Sequence, residues 1–106
     1  MATEKVYNKL IRDKIPEIVK RANKEPIMSI ASEEEMKELL FRKLLEELGE
    51  FKETPNEEEL ADLLEVMDGI AHAFKLDMEK VKTIKTNKKE ERGGFEQRIV
   101  LEKVME

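Results

Sequence analysis

Two pairs of acidic residues sit where a helix should be apolar, and they restrict this chain more than any other feature does. Glu47 and Glu50, then Glu59 and Asp62, read E-L-G-E and E-L-A-D on either side of Thr54-Pro55-Asn56. Residues three apart on a helix share nearly one face, so each pair projects two carboxylates side by side. At about 100° per residue, Met36, Leu40, Leu44, Leu48 and Phe51 fall on one broad side of the first helix. Glu47 lies inside that side, between the directions of Met36 and Leu40, and Glu50 lies at its edge beside Leu39. In the second helix Leu60, Leu63, Val66, Met67, Ile70 and Phe74 form the apolar stripe. Glu59 falls between Val66 and Ile70, and Asp62 falls at the margin next to Ala73. Glu38, Glu53, Glu57 and Asp68 point to the polar sides instead.

If the two helices fold back on each other, all four carboxylates converge. Uncompensated burial of anions costs several kcal/mol or more, and a hard divalent cation is the natural compensation. Oxygen-only donors favour Mg²⁺, Mn²⁺ or Ca²⁺ over Zn²⁺. The competing reading makes Glu47 and Glu59 edge residues neutralised by lysine or arginine. Two matched intrusions into two apolar stripes favour the metal site.

The rest of the chain predicts an all-α architecture. Asp13 is placed to cap a first helix, with Pro16 in its first turn and an end near Asn23. Ser32 and Glu35 form a capping box for a second helix running to about Glu53. Thr54 as N-cap, Pro55 at the first helical position and Glu57 three residues on restart the chain as a third helix. So short a connection makes the second and third helices antiparallel and brings Glu50 close to Glu59. Asp77 caps a fourth helix from Met78 to about Glu91, ended by Gly93-Gly94 with a glycine in the left-handed C-terminal conformation. Two short peripheral strands are read at Pro26–Ile30 and Arg98–Val104. Lys85, Lys88, Lys89 and Arg92 lie on one side of the fourth helix, a basic face that suits either the helix dipole or a phosphate. Asn8, Lys9, Arg12 and Asp13 cluster before the first helix as a strap that would bring cations to the acidic site.

Composition narrows the function classes. At 106 residues the chain is read as one domain, 1–106, with a modest core. A net charge of −5 argues against a protein that coats a nucleic-acid polymer. No cysteine is present, which removes disulfides and thiolate metal sites. The one histidine, His72, falls on the polar side of its helix and reads as a surface residue. No apolar leader opens the sequence and no apolar run approaches the ~20 residues of a membrane span, so a cytoplasmic location is the default. The apolar arcs of the second and third helices, widened by Phe41, Leu45, Leu64 and Ala71, exceed what one helix hairpin covers. The fold expected is therefore an antiparallel helix-hairpin bundle completed by dimerisation, a homodimer or higher homo-oligomer.

Glu46-Glu47-Leu48-Gly49-Glu50 and Glu59-Leu60-Ala61-Asp62 resemble the E-E-x-x-E … E-x-x-D signature of the MazG-like nucleotide pyrophosphohydrolases. That all-α superfamily also holds phosphoribosyl-ATP pyrophosphohydrolase and the dimeric dUTPases. Asn87, Lys89 and Arg92 resemble the N-x-K-x-x-R of the family's last helix. Tyr7-Asn8-Lys9-Leu10-Ile11-Arg12-Asp13-Lys14-Ile15-Pro16 resembles the start of a compact subgroup. The resemblance implies Mg²⁺-dependent hydrolysis of a nucleoside triphosphate to the monophosphate and pyrophosphate, with house-cleaning of non-standard nucleotides as one role. It implies Glu47, Glu50, Glu59 and Asp62 as metal ligands and Asn87, Lys89 and Arg92 as substrate contacts. Charge adds Lys9 and Arg12 as phosphate contacts, and Glu46 is the candidate for taking a proton from the attacking water. Phosphoribosyl-ATP hydrolysis, a non-catalytic helical metal-binding or interaction module, and a purely structural dimer are the alternatives.

Overall fold

The computed structural model describes residues 3–106. It is all-helical: α1 (Ile15–Arg21), α2 (Glu33–Glu53), α3 (Glu57–Ala73) and α4 (Met78–Arg92) are the helices among the described residues. The chain divides into two compact units, one running to Lys75 and one spanning Leu76–Glu106. No helix is long and apolar enough to cross a membrane among the described residues.

The first unit is built on the α2–α3 hairpin. Ser32 Oγ accepts from the Glu35 N–H while Glu35 Oε1 accepts from the Ser32 N–H, so the capping box forms as the sequence predicts. The start of α3 differs from expectation. Thr54 is the C-cap of α2, and the N-cap of α3 is Asn56, whose Oδ1 accepts from the Glu59 N–H at 2.8 Å. Asparagine caps as well as any residue, and its reach to the third helical N–H starts α3 two residues later than Thr54 would. The connection is Thr54–Asn56, and the helices return antiparallel: Phe41 of α2 meets Phe74 beyond the end of α3, ring centroids 5.7 Å apart. Lys37 Nζ lies over the same Phe74 ring at 5.2 Å. Midway, a Cβ added at Gly69 would stand 3.1 Å from Leu40 Cδ2. The absence of a side chain at Gly69 is what lets α3 approach Leu40, the most deeply buried apolar residue of α2 at 3% exposure.

That core is thin. Among the described residues Leu40, Val66 and Ala71 are its buried apolar residues, and the one buried charged residue is Glu47. The outer flanks of the hairpin stay open: Leu45 is 69% and Leu64 60% exposed, with Phe41, Leu48, Leu60 and Met67 also exposed.

Helix α1 starts without Asp13 as its cap. Lys14 occupies the N-cap with no side-chain bond, and the Ile15 N–H instead donates to the Arg12 carbonyl at 3.1 Å. A backbone turn thus satisfies the donor that an aspartate would have served. The helix ends as the sequence suggests: Asn23 takes a left-handed φ of 60°, with its N–H on the Lys20 carbonyl and the Lys24 N–H on the Val19 carbonyl. That is the paired C-terminal closure which asparagine tolerates nearly as well as glycine.

In the second unit Asp77 Oδ1 accepts from the Glu79 and Lys80 N–H groups and starts α4 as expected. Gly93 takes φ 82° and ψ 176°. The φ is one that L residues rarely adopt, but the ψ is extended, so the chain leaves α4 without the left-handed helical cap foreseen. The two expected strands do not form. Pro26–Ile30 and Arg98–Val104 carry no ladder, and Ile27, Ile30, Ile99 and Leu101 are exposed. Arg98 sits at φ 59° with its N–H on the Phe95 carbonyl, so the second segment opens in a turn. Alternation selects a face, but a strand exists only where another backbone accepts its hydrogen bonds.

Asn56→Ala is predicted to cost about 1 kcal/mol and several degrees of melting temperature, whereas Thr54→Ala leaves both nearly unchanged. Thermal and urea unfolding followed by circular dichroism measure the difference, and equal losses would return the cap to Thr54.

Candidate metal centre

Helix phase and the short turn together place the acids. Glu47 is nearly two turns, and Glu50 less than one turn, from the C-terminal end of α2, and Glu59 is the third residue of α3. Across a three-residue connection these positions face one another. One carboxylate oxygen from each of Glu47, Glu50 and Glu59 lies within 4.8 Å of the others. Glu47 is buried at 7% exposure, Glu59 is half-buried and Glu50 is exposed, so the cluster runs from the hairpin core outward.

The cluster is only partly neutralised: Lys43 reaches one oxygen of Glu47. Glu47 Oε2 and Glu59 Oε2 are buried oxygens with no hydrogen-bond partner. Burial, then the charge of Glu50, push the Glu47 carboxyl above its ordinary range, and Lys43 only partly opposes them. Glu59 is raised for the same reasons in the same order, with Asp62 and Glu58 adding to the effect. Buried anionic oxygens without donors are the condition that a hard cation relieves. The donor set, carboxylates alone, fits Mg²⁺ or Mn²⁺, and Glu47, Glu50 and Glu59 are the residues that would hold the ion.

Asp62 stands apart from that trio. Its Oδ1 accepts from Arg12 Nη2 at 2.8 Å, although its charge still raises the pKa of both Glu47 and Glu59. Glu46 is likewise engaged: Lys9 Nζ lies 2.9 Å from Oε1 and Lys43 Nζ 3.3 Å from Oε2. The Lys9 hydrogen bond, helped by Lys43, holds the Glu46 carboxyl below its ordinary range, and the same bond raises Lys9. The segment before α1 is therefore a strap across the hairpin, with Lys9 on α2 and Arg12 on α3. Asn8, at a left-handed φ of 45°, precedes a bend at Lys9. Leu10 and Leu39 line a small cavity of about 50 Å³ beneath the strap, together with Arg42 and Lys43.

Lys43 is the site residue that the acidic pattern does not announce. Its ammonium lies 3.4 Å from Glu47 Oε1 and 3.3 Å from Glu46 Oε2, and its side chain is only 16% exposed. The signal was its spacing, three residues before Glu46 and four before Glu47. The neutralised-edge reading of Glu47 is thus met on one oxygen and fails on the other. Asn87, Lys89 and Arg92 lie on α4 in the second unit, where all three are exposed. Lys85, Lys89 and Arg92 share one side of that helix, while Asn87 is turned about 140° from Arg92. His72 is an exposed residue near the end of α3.

Against protein-family models, curated proteins and solved structures, the chain finds no match.

The pKa directions fix a sign for stability. Glu47 and Glu59 hold protons more tightly in the folded protein than in the unfolded chain. Their contribution is present below the ordinary carboxyl range and is lost as pH rises through the raised values. Glu35 and Glu46, both lowered, act oppositely and stabilise above that range, losing their effect as pH falls. In the presence of a chelator at neutral pH, Glu59→Gln is therefore predicted to raise the melting temperature and to flatten its decline above the carboxyl range. A lower melting temperature for Glu59→Gln under those conditions would contradict the unpartnered site.

Proposed function

We propose that the chain is a Mg²⁺-dependent nucleotide pyrophosphohydrolase of the MazG-like kind, cleaving a nucleoside triphosphate between its α and β phosphates to release pyrophosphate. The observation that carries this reading is the convergence of Glu47, Glu50 and Glu59 with two buried, unpartnered oxygens. An anionic pocket of that kind repels a triphosphate until a cation reverses its sign. When bound, the cation neutralises phosphate oxygens and lowers the pKa of an attacking water.

The chain's own residues do the rest. Lys9 and Arg12 are held at the rim of the cluster by ion pairs that a phosphate can replace. The resemblance assigns Asn87, Lys89 and Arg92 of α4 to the substrate, a role that rests on the sequence motif alone. Glu46 accepts the water's proton. Lys9 and Lys43 set its strength, because both hold its pKa down and it becomes a useful base only as they turn to the phosphates. Orientation and charge stabilisation supply most of the rate, with no nucleophilic side chain required.

The exposed flank of the hairpin supports a homodimer. Phe41, Leu45, Leu48, Leu60, Leu64 and Met67 leave too much apolar surface open on the two helices that carry the acids, and a second copy of the same hairpin would bury it. Light scattering at micromolar concentration is predicted to give twice the chain mass; a monomer mass would reject the dimer.

For the reaction, purified protein with Mg²⁺ is predicted to release pyrophosphate, not orthophosphate, from one or more ribo- or deoxyribonucleoside triphosphates or from phosphoribosyl-ATP. Mg²⁺ raises the melting temperature of the wild type and not that of Glu59→Gln, which has no turnover. Arg92→Ala keeps the Mg²⁺ response and loses substrate affinity, turnover or both. Retained metal binding without pyrophosphate from any of these substrates would leave a non-catalytic metal-binding module.

A further inference from the structure

The three converging carboxylates do not include the fourth member of the sequence pattern. Asp62 stands one helical turn after Glu59, half-buried, with its Oδ1 on the Arg12 guanidinium at 2.8 Å. We propose that Asp62 is a masked ligand of the site, that Arg12 and the divalent cation compete for it, and that Arg12 on release passes to the anionic substrate. The inference rests on the metal-site reading above.

Three observations carry it. Glu47, more than nine-tenths buried, turns an unpartnered Oε2 into the hairpin, and Glu59 has a second such oxygen. The site therefore has acceptor capacity that no protein donor fills: Lys43 reaches only Glu47 Oε1, and the Arg12 guanidinium is spent on Asp62. Next, the Arg12–Asp62 pair is a surface pair: the Arg12 side chain is 56% and the Asp62 side chain 35% exposed. Pairs of that exposure are weak and exchange readily. Last, Arg12 belongs to a strap that stays in place when the cation opens this pair. Lys9 still holds Glu46 until a phosphate replaces it, and Leu10, half-buried beside the cavity that Leu39 also lines, anchors the strap throughout. Three residues of extended chain span about 10 Å, so a freed Arg12 remains at the rim of the cluster. A planar guanidinium there suits two oxygens of one phosphate group, which a lysine would meet only as a point charge. The chemical class of ligand for the released Arg12 is thus a phosphate ester or anhydride brought in with the cation.

The two competitions have opposite signs for one substitution, which separates this role from a structural one. Mn²⁺ titrated by calorimetry into Arg12→Ala is expected to bind up to about fivefold more tightly than into the wild type, the range of an exposed ion pair. In an Asp62→Asn background the same Arg12→Ala change has no effect on Mn²⁺. With Mn²⁺ saturating, a non-hydrolysable nucleoside triphosphate analogue binds Arg12→Ala more weakly than wild type, and Arg12→Lys lies between the two. Mn²⁺ affinity for Arg12→Ala that is equal to or below that of the wild type overturns the masking, and loss of both affinities marks Arg12 as a merely structural clamp. Glu59→Gln is the control that distinguishes the two levels: if wild type and Glu59→Gln alike bind no Mn²⁺, the metal reading itself has failed.

Discussion

The carboxylate of Glu47, packed between two helices, is the constraint on which the rest of the first unit depends. An anion in that place is tolerable only with charge beside it. Lys43 supplies that charge on one oxygen, from the same helix. Nothing supplies it on the other, and the charges of Glu50 and Asp62 worsen the deficit. The apolar core around it consists of Leu40, Val66 and Ala71 with half-buried neighbours. The hairpin is thus organised about a polar fault line, and it meets the cost of that fault with capping, aromatic contact and the close approach at Gly69.

Charge balance explains the strap. Glu46 and Asp62 flank the converging trio, one on each helix, and each receives a cation from a segment with no helical structure of its own. The outer acids are neutralised by the strap, while the inner ones keep two buried oxygens unpartnered even with Lys43 on Glu47. A purely structural hairpin would gain by distributing its cations the other way, because a buried oxygen benefits most from a donor while a rim oxygen already has water. The distribution leaves the converging carboxylates under-compensated, an arrangement that costs local stability.

Much of this was readable from residue types and spacing, and the failures share a cause. Glu47 was identifiable because helix rotation alone places it among Met36 and Leu40. The Ser32–Glu35 box and the Asp77 cap depend on partners two or three residues away, so the sequence states them almost completely. Thr54 and Asp13 were misread because two acceptable caps stood within a few residues of each other or of a backbone turn, and propensity does not choose between them. Charge foretold a cationic strap at Lys9 and Arg12, but not its partners: Glu46 and Asp62 lie 37 and 50 positions away, a distance at which spacing names no pair. Pro26–Ile30 and Arg98–Val104 failed as strands for the same reason, since a ladder is a property of two segments and each was read alone.

The connection Thr54–Asn56 has one further consequence. It acts as a gauge for the cluster, because it sets the rotational phase of α3 against α2. A single inserted residue in the first turn of α3 would swing Glu59 and Asp62 by about 100° and scatter the acids around the hairpin. Length can enter at this end only as whole turns added to both helices together, which carries the acids deeper from the closed end without changing how they face. The linker between α1 and α2 is under no such phase condition. Divergence in chain length should therefore collect there, while the shortest loop of the unit behaves as its most rigid measure.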